Sequence, residues 1–133
     1  MIVNDPEVLA QVTAAVDAYE TALMTNDVEA LDGFFRDAPE TVRYGVAENL
    51  YGFAQIAAFR IGRSGGSPLR DRLRTEITTF GQDFAVANVE FLRTGAKQPG
   101  RQSQTWLRTE SGWKIVSAHV SLLQGGADQR LAP

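Results

Sequence analysis

The sequence contains no cysteine, which excludes disulfides, thiolate nucleophiles and thiolate metal sites together. It has one histidine, His119. A lone imidazole holds zinc only where several carboxylates converge on it, so no metal and no cofactor are expected and any hydrolysis is read as metal-free. No apolar run approaches the roughly 20 residues of a membrane-spanning helix, and no membrane partner is expected. The opening MIVNDPEV lacks the basic start, apolar middle and small-residue cleavage site of a signal peptide, which makes a cytoplasmic location the expectation. A basic excess is also missing. The net charge of −3 argues against nucleic acid, because a surface that neutralises phosphates shows as surplus Lys and Arg. Lysine itself is scarce, with only Lys97 and Lys114 beside 11 arginines. Arginine is the planar, two-pronged donor suited to carboxylates.

What is present fits one globular domain spanning residues 1–133, with an ordered core to about residue 124 and a tail from Gly125–Gly126 onward. The composition, 44% hydrophobic and 22% charged, is that of a chain able to bury a core. Asp5–Pro6 reads as an N-cap followed by proline at the first helical position. Val8, Val12, Ala15, Val16, Tyr19 and Leu23 then follow a helical period. Tyr19 falls on the buried stripe, where a phenol needs a polar partner, either a backbone carbonyl or a pocket. A second helix is expected from Val28 to Phe35, capped by Asn26 or Asp27.

The central stretch is RYGVAENLYGFAQIAAFRIGR, Arg43 to Arg63. An extended run stops at Gly45, turns through Glu48 and Asn49, and enters a short helix near Tyr51–Gly52. Arg60 and Arg63 recur on one flank of that helix. The segment therefore gathers three guanidinium groups, a carboxylate and a carboxamide. That makes a small anionic molecule the first ligand to consider. Arg43 sits in an extended site between Val42 and Tyr44, where a guanidinium needs an acidic partner or a ligand, and Glu48 is the structural alternative. Arg60 and Arg63 also suit a helix C-terminus in any protein.

Beyond the breaker cluster Ser64–Pro68 the period changes to two. Arg72 to Phe80, Phe84 to Thr94, Gln102 to Thr109 and Trp113 to Leu123 read as an antiparallel meander. Arg70, Arg72 and Arg74 alternate and read as a solvated strand face. Gln102, Gln104 and Trp106 share one side and could line a wall, Trp106 more as packing than recognition. On the last strand Trp113, Ile115, Ser117 and His119 share a side, so His119 faces a cavity if Trp113 does, unless a bulge reverses it. A hydrogen-bonded structural role is the plainer reading of a lone histidine. Strands apolar on both faces imply helices on one and a second subunit on the other, a homodimer or larger. The class is α+β, helices on a curved antiparallel sheet.

This layout resembles the NTF2-like, or SnoaL-like, cone fold, a cystatin-like α+β roll. Within it, RYGVAENLYGFAQIAAFRIGR and GWKIVSAHVSLL resemble the AtzH-like family of decarboxylating amidohydrolases, which act on carboxylated ureas in cyanuric acid breakdown. The resemblance runs from the first helix to His119–Val120–Ser121. It implies that Tyr19 and Arg43 are the catalytic pair, acting on an anionic carboxylated urea such as 1,3-dicarboxyurea. Arg60, Arg63 and His119 would hold the second carboxylate, with Glu48, Asn49, Gln104 and Trp106 as further binding candidates. The alternatives are a ketosteroid-isomerase-like isomerase or dehydratase, and a non-catalytic partner of an amidase.

Overall fold

A computed structural model describes residues 1–63 and 65–125. The chain runs α1 (Pro6–Met24), α2 (Val28–Gly33), β1 (Val42–Tyr44), β2 (Asn49–Tyr51), α3 (Phe53–Gly62), β3 (Arg70–Phe80), β4 (Phe84–Arg93), β5 (Gly100–Thr109) and β6 (Gly112–Leu122). The expected tail falls from residue 126 onward outside the described residues.

α1 starts where Asp5 accepts from the backbone N–H groups of Glu7 and Val8, at 3.1 and 3.3 Å, with Pro6 at the first helical position. Its buried stripe is Val8, Val12, Val16, Tyr19, Ala22 and Leu23. Fully burying a side chain of the Val or Leu size stabilises by about 1.5–3 kcal/mol, so packing, more than helix propensity, holds this helix. Asp27 caps α2 through the Ala30 N–H at 3.1 Å. α2 ends at Gly33, two residues before the expected Phe35, because Phe35 instead bridges to Ile115 in extended geometry.

The sheet has six strands in the order β2-β1-β6-β5-β4-β3. The β3–β6 meander is antiparallel as expected, but β1 joins β6 in parallel, pairing Arg43 with Ala118, so the sheet is mixed. α1 and α3 pack against the sheet and α2 packs against both of them, over an inner face that carries Ala85, Ala87, Trp106, Ile115 and Ala118 into the core.

Two bulges decide which side chains face inward. In β6 the register with β5 passes from Thr105–Ser117 to Trp106–Ile115, leaving Val116 as the extra residue. In β3 a register shift between Arg72 and Arg74 leaves Leu73 extra. Each reverses the alternation for the remainder of its strand.

Candidate functional site

A cavity of about 430 Å³ opens between α1, the β1–β2 turn, the segment after α3 and the inner face of the sheet. Its floor takes one residue from each of five neighbouring strands, Arg43 on β1, Val120 on β6, Gln102 on β5, Arg93 on β4 and Arg70 on β3. Tyr19 of α1 lines it from above, and Glu48 and Arg63 complete the polar wall.

Tyr19 is 2% exposed, and its ring meets Phe34 and Phe35 edge-on at 5.8 and 6.2 Å. These contacts fix the ring, while its hydroxyl makes no hydrogen bond among the described residues. Arg43 points inward because its pairing partner Ala118 does. Its Nη1 donates to Glu48 Oε2 at 3.0 Å, and its Nε is buried without a partner among the described residues. Glu48 reaches it by folding back over Gly45, where a Cβ would lie 1.9 Å from the carboxylate oxygen. The same oxygen lies 3.9 Å from Arg63 Nη2. Phe59 carries both cations, with Arg63 at 4.7 Å and Arg43 at 5.8 Å from its ring centroid.

Among the described residues four guanidinium groups and one carboxylate thus line the cavity, Arg43, Arg63, Arg70 and Arg93 against Glu48. Arg70 is neutralised from behind by Glu20, through two hydrogen bonds at 3.0 and 2.7 Å, and donates to Gln102 Oε1 at 2.8 Å. Arg93 makes no ion pair among the described residues. Burial, and then the charge of Arg70, pull its pKa below the ordinary guanidinium value, with Glu48 opposing. Burial and the charge of Arg43 do the same to Arg63. Arginines remain charged under such shifts, so among the described residues the guanidinium groups lining the cavity outnumber its carboxylates.

Of the residues singled out in the sequence, Tyr19, Arg43, Glu48 and Arg63 converge on the cavity. Arg60 does not. It is tied to Asp32 at 3.0 Å and lies over Phe35, behind the wall. His119 is corrected to the outer face, where it is exposed and meets Tyr44 edge-on at 5.6 Å, because the Val116 bulge reverses the end of β6. Asn49 is exposed on β2 opposite Tyr44. Trp106 is core, fully buried, with its indole N–H donating to Gln104 Oε1 at 3.1 Å, so that pair supports the floor without lining it. Arg70 was expected on a solvated face, and the Leu73 bulge turns it inward. Arg93 carried no sequence signal of its own beyond its place opposite Arg70.

A family model described as AtzH-like matches residues 1–126. The chain belongs to the AtzH-like family. A solved protein of unknown function from Pectobacterium atrosepticum, assigned to the DUF3225 family, is 52% identical, covering 92% of this chain and 95% of its own, with a TM-score of 0.89. A cystatin-like fold protein from Burkholderia xenovorans is 49% identical over 92% of this chain and 97% of its own, TM-score 0.88. An NTF2-like superfamily protein from Salmonella enterica is 24% identical over 91% of this chain and 95% of its own, TM-score 0.74. No match is found among curated proteins. These likenesses establish an NTF2-like α+β fold for this AtzH-like chain. No helix among the described residues is long and apolar enough to cross a membrane. No group of three or more His, Cys, Asp or Glu that could hold a metal occurs among them either.

Proposed function

We propose that this AtzH-like protein is a decarboxylating amidohydrolase of small carboxylated ureas, 1,3-dicarboxyurea being the model substrate, with Tyr19 and Arg43 as its catalytic pair. The observation that carries the reading is the shared cavity, in which a rigidly packed phenol without a hydrogen-bond partner among the described residues faces a cluster of guanidinium groups.

In the proposed step the bond between a urea nitrogen and its carboxylate carbon breaks, and CO₂ leaves. The bonding electrons remain on nitrogen and spread onto the adjacent urea carbonyl. Arg43 donates to that oxygen and stabilises the developing charge, and Tyr19 delivers the proton that completes the N–H bond, to be reprotonated from water. Each contribution is of the order of 3 kcal/mol, roughly a hundredfold in rate. Of the Arg60, Arg63 and His119 set expected from sequence, Arg63 is the member proposed to hold carboxylate oxygens.

An isomerase or dehydratase of the steroid type calls for a free carboxylate base in an apolar pocket. Among the described residues Glu48 is the only carboxylate lining this cavity, and it is engaged by Arg43 and Arg63. The outer sheet face, with Tyr51 and Phe84 exposed, is the proposed contact for a second copy. An amidase partner remains the competing, non-catalytic reading. The test is CO₂ release from 1,3-dicarboxyurea by the isolated chain, with ammonia followed in parallel to show whether the urea itself is opened. Release that Tyr19→Phe abolishes supports the reading, and no release above the uncatalysed rate rejects it.

A further inference from the structure

The cavity's positive charge is unevenly compensated. Arg43 and Arg63 share Glu48, and Arg70 has Glu20, but Arg93 has no carboxylate among the described residues. Arg93 and Arg70 are also direct cross-strand partners, both turned to the inner face. Like charges directly opposite on a sheet are destabilising, so the pair is an arrangement that packing alone does not favour. Both cations lean on the ring of Phe91, Arg70 at 4.3 Å and Arg93 at 5.7 Å from its centroid. Next to them, Gln102 spends its carbonyl oxygen on Arg70, and its amide nitrogen has no partner among the described residues.

We propose that Arg93 and the Gln102 amide form a second carboxylate subsite, separate from the Arg43 end, so that the cavity selects short dianions over monoanions. β1 and β4 are three strand spacings apart in the sheet, about 14 Å between backbones. Arg43 and Arg93 line the same cavity of about 430 Å³ with Val120 and Gln102 between them, a space of the size a small dicarboxylate needs. A molecule with one carboxylate reaches one end, whereas a dianion neutralises both. The inference rests on taking this cavity as the substrate site and names the residues that would recognise the far end of the substrate.

The test is calorimetric titration at low salt of propionate against malonate, succinate and glutarate, using the wild-type chain, Arg93→Gln and Arg93→Lys. The wild type should bind the best dicarboxylate about 10- to 100-fold more tightly than propionate, the contribution of one charge-assisted contact. Arg93→Gln should bring that ratio near one, with the dicarboxylate losing far more affinity than propionate, and Arg93→Lys should keep part of it. A wild type that does not distinguish the two classes overturns the proposal, as does an Arg93→Gln variant that retains the preference. Because binding is read without turnover, intact dicarboxylate selection in a chain that releases no CO₂ would reject the amidohydrolase reading alone. Turnover with no Arg93-dependent selection would reject the subsite alone.

Discussion

Glu48 folds back across Gly45 to hold Arg43 at 3.0 Å, with its side chain 19% exposed and that of Arg43 10% exposed. The carboxylate therefore occupies the donors an anionic ligand would use while relieving the repulsion between Arg43 and Arg63. Opposite consequences for binding and stability follow. Glu48→Gln should tighten dicarboxylate binding about fivefold, since one competing negative charge leaves the wall. It should also cost about 2 kcal/mol of stability, less than breaking a fully buried pair. Titration and urea unfolding of the same preparation check both. A variant that binds more weakly would mean that Glu48 orients Arg43 and does not compete with the ligand.

The Tyr19 hydroxyl makes no hydrogen bond among the described residues, while its ring is fixed by Phe34 and Phe35. Tyr19→Phe keeps those ring contacts. Unfolding free energy should change by less than about 0.5 kcal/mol, because no internal hydrogen bond is lost. If the phenol delivers the proton, kcat for CO₂ release should fall about a hundredfold with KM within twofold. A loss confined to KM would assign Tyr19 to binding instead.

The helices, the meander and the inward Tyr19 were legible in the sequence because periodicity carries them. The parallel joint of β1 to β6 was not, since Val42–Tyr44 is only three residues long and its partner lies far along the chain. The two errors of facing share one cause. Arg70, Arg72 and Arg74 alternate perfectly, as do Trp113, Ile115, Ser117 and His119, and strict alternation puts each set on one side. An extra residue, Leu73 in β3 and Val116 in β6, breaks the count. One bulge delivers Arg70 to the cavity and the other removes His119 from it. Neither Leu73 nor Val116 is a residue type that announces a bulge.

The outward position of His119 has a direct consequence. His119→Ala removes an exposed ring that touches Tyr44 and nothing in the cavity. It should leave kcat/KM for CO₂ release within about twofold and stability within about 0.5 kcal/mol. A tenfold loss of activity would place His119 back at the site.

The β3–β4 wall of the cavity depends on a glycine distant from any ligand. Gly100 pairs with Phe91, and a Cβ there would lie 2.1 Å from the ring. That ring supports both Arg70 and Arg93. Gly100→Ala should therefore displace Phe91, costing about 1–3 kcal/mol as overpacking, and move both guanidinium groups. The double variant Gly100→Ala with Phe91→Leu relieves the collision but leaves the cations without an aromatic surface. It should recover part of the lost stability while dicarboxylate selectivity stays low. Recovery of both together would mean that the wall needs only volume beneath it, and that the stacking of Arg70 and Arg93 on Phe91 does not set their position.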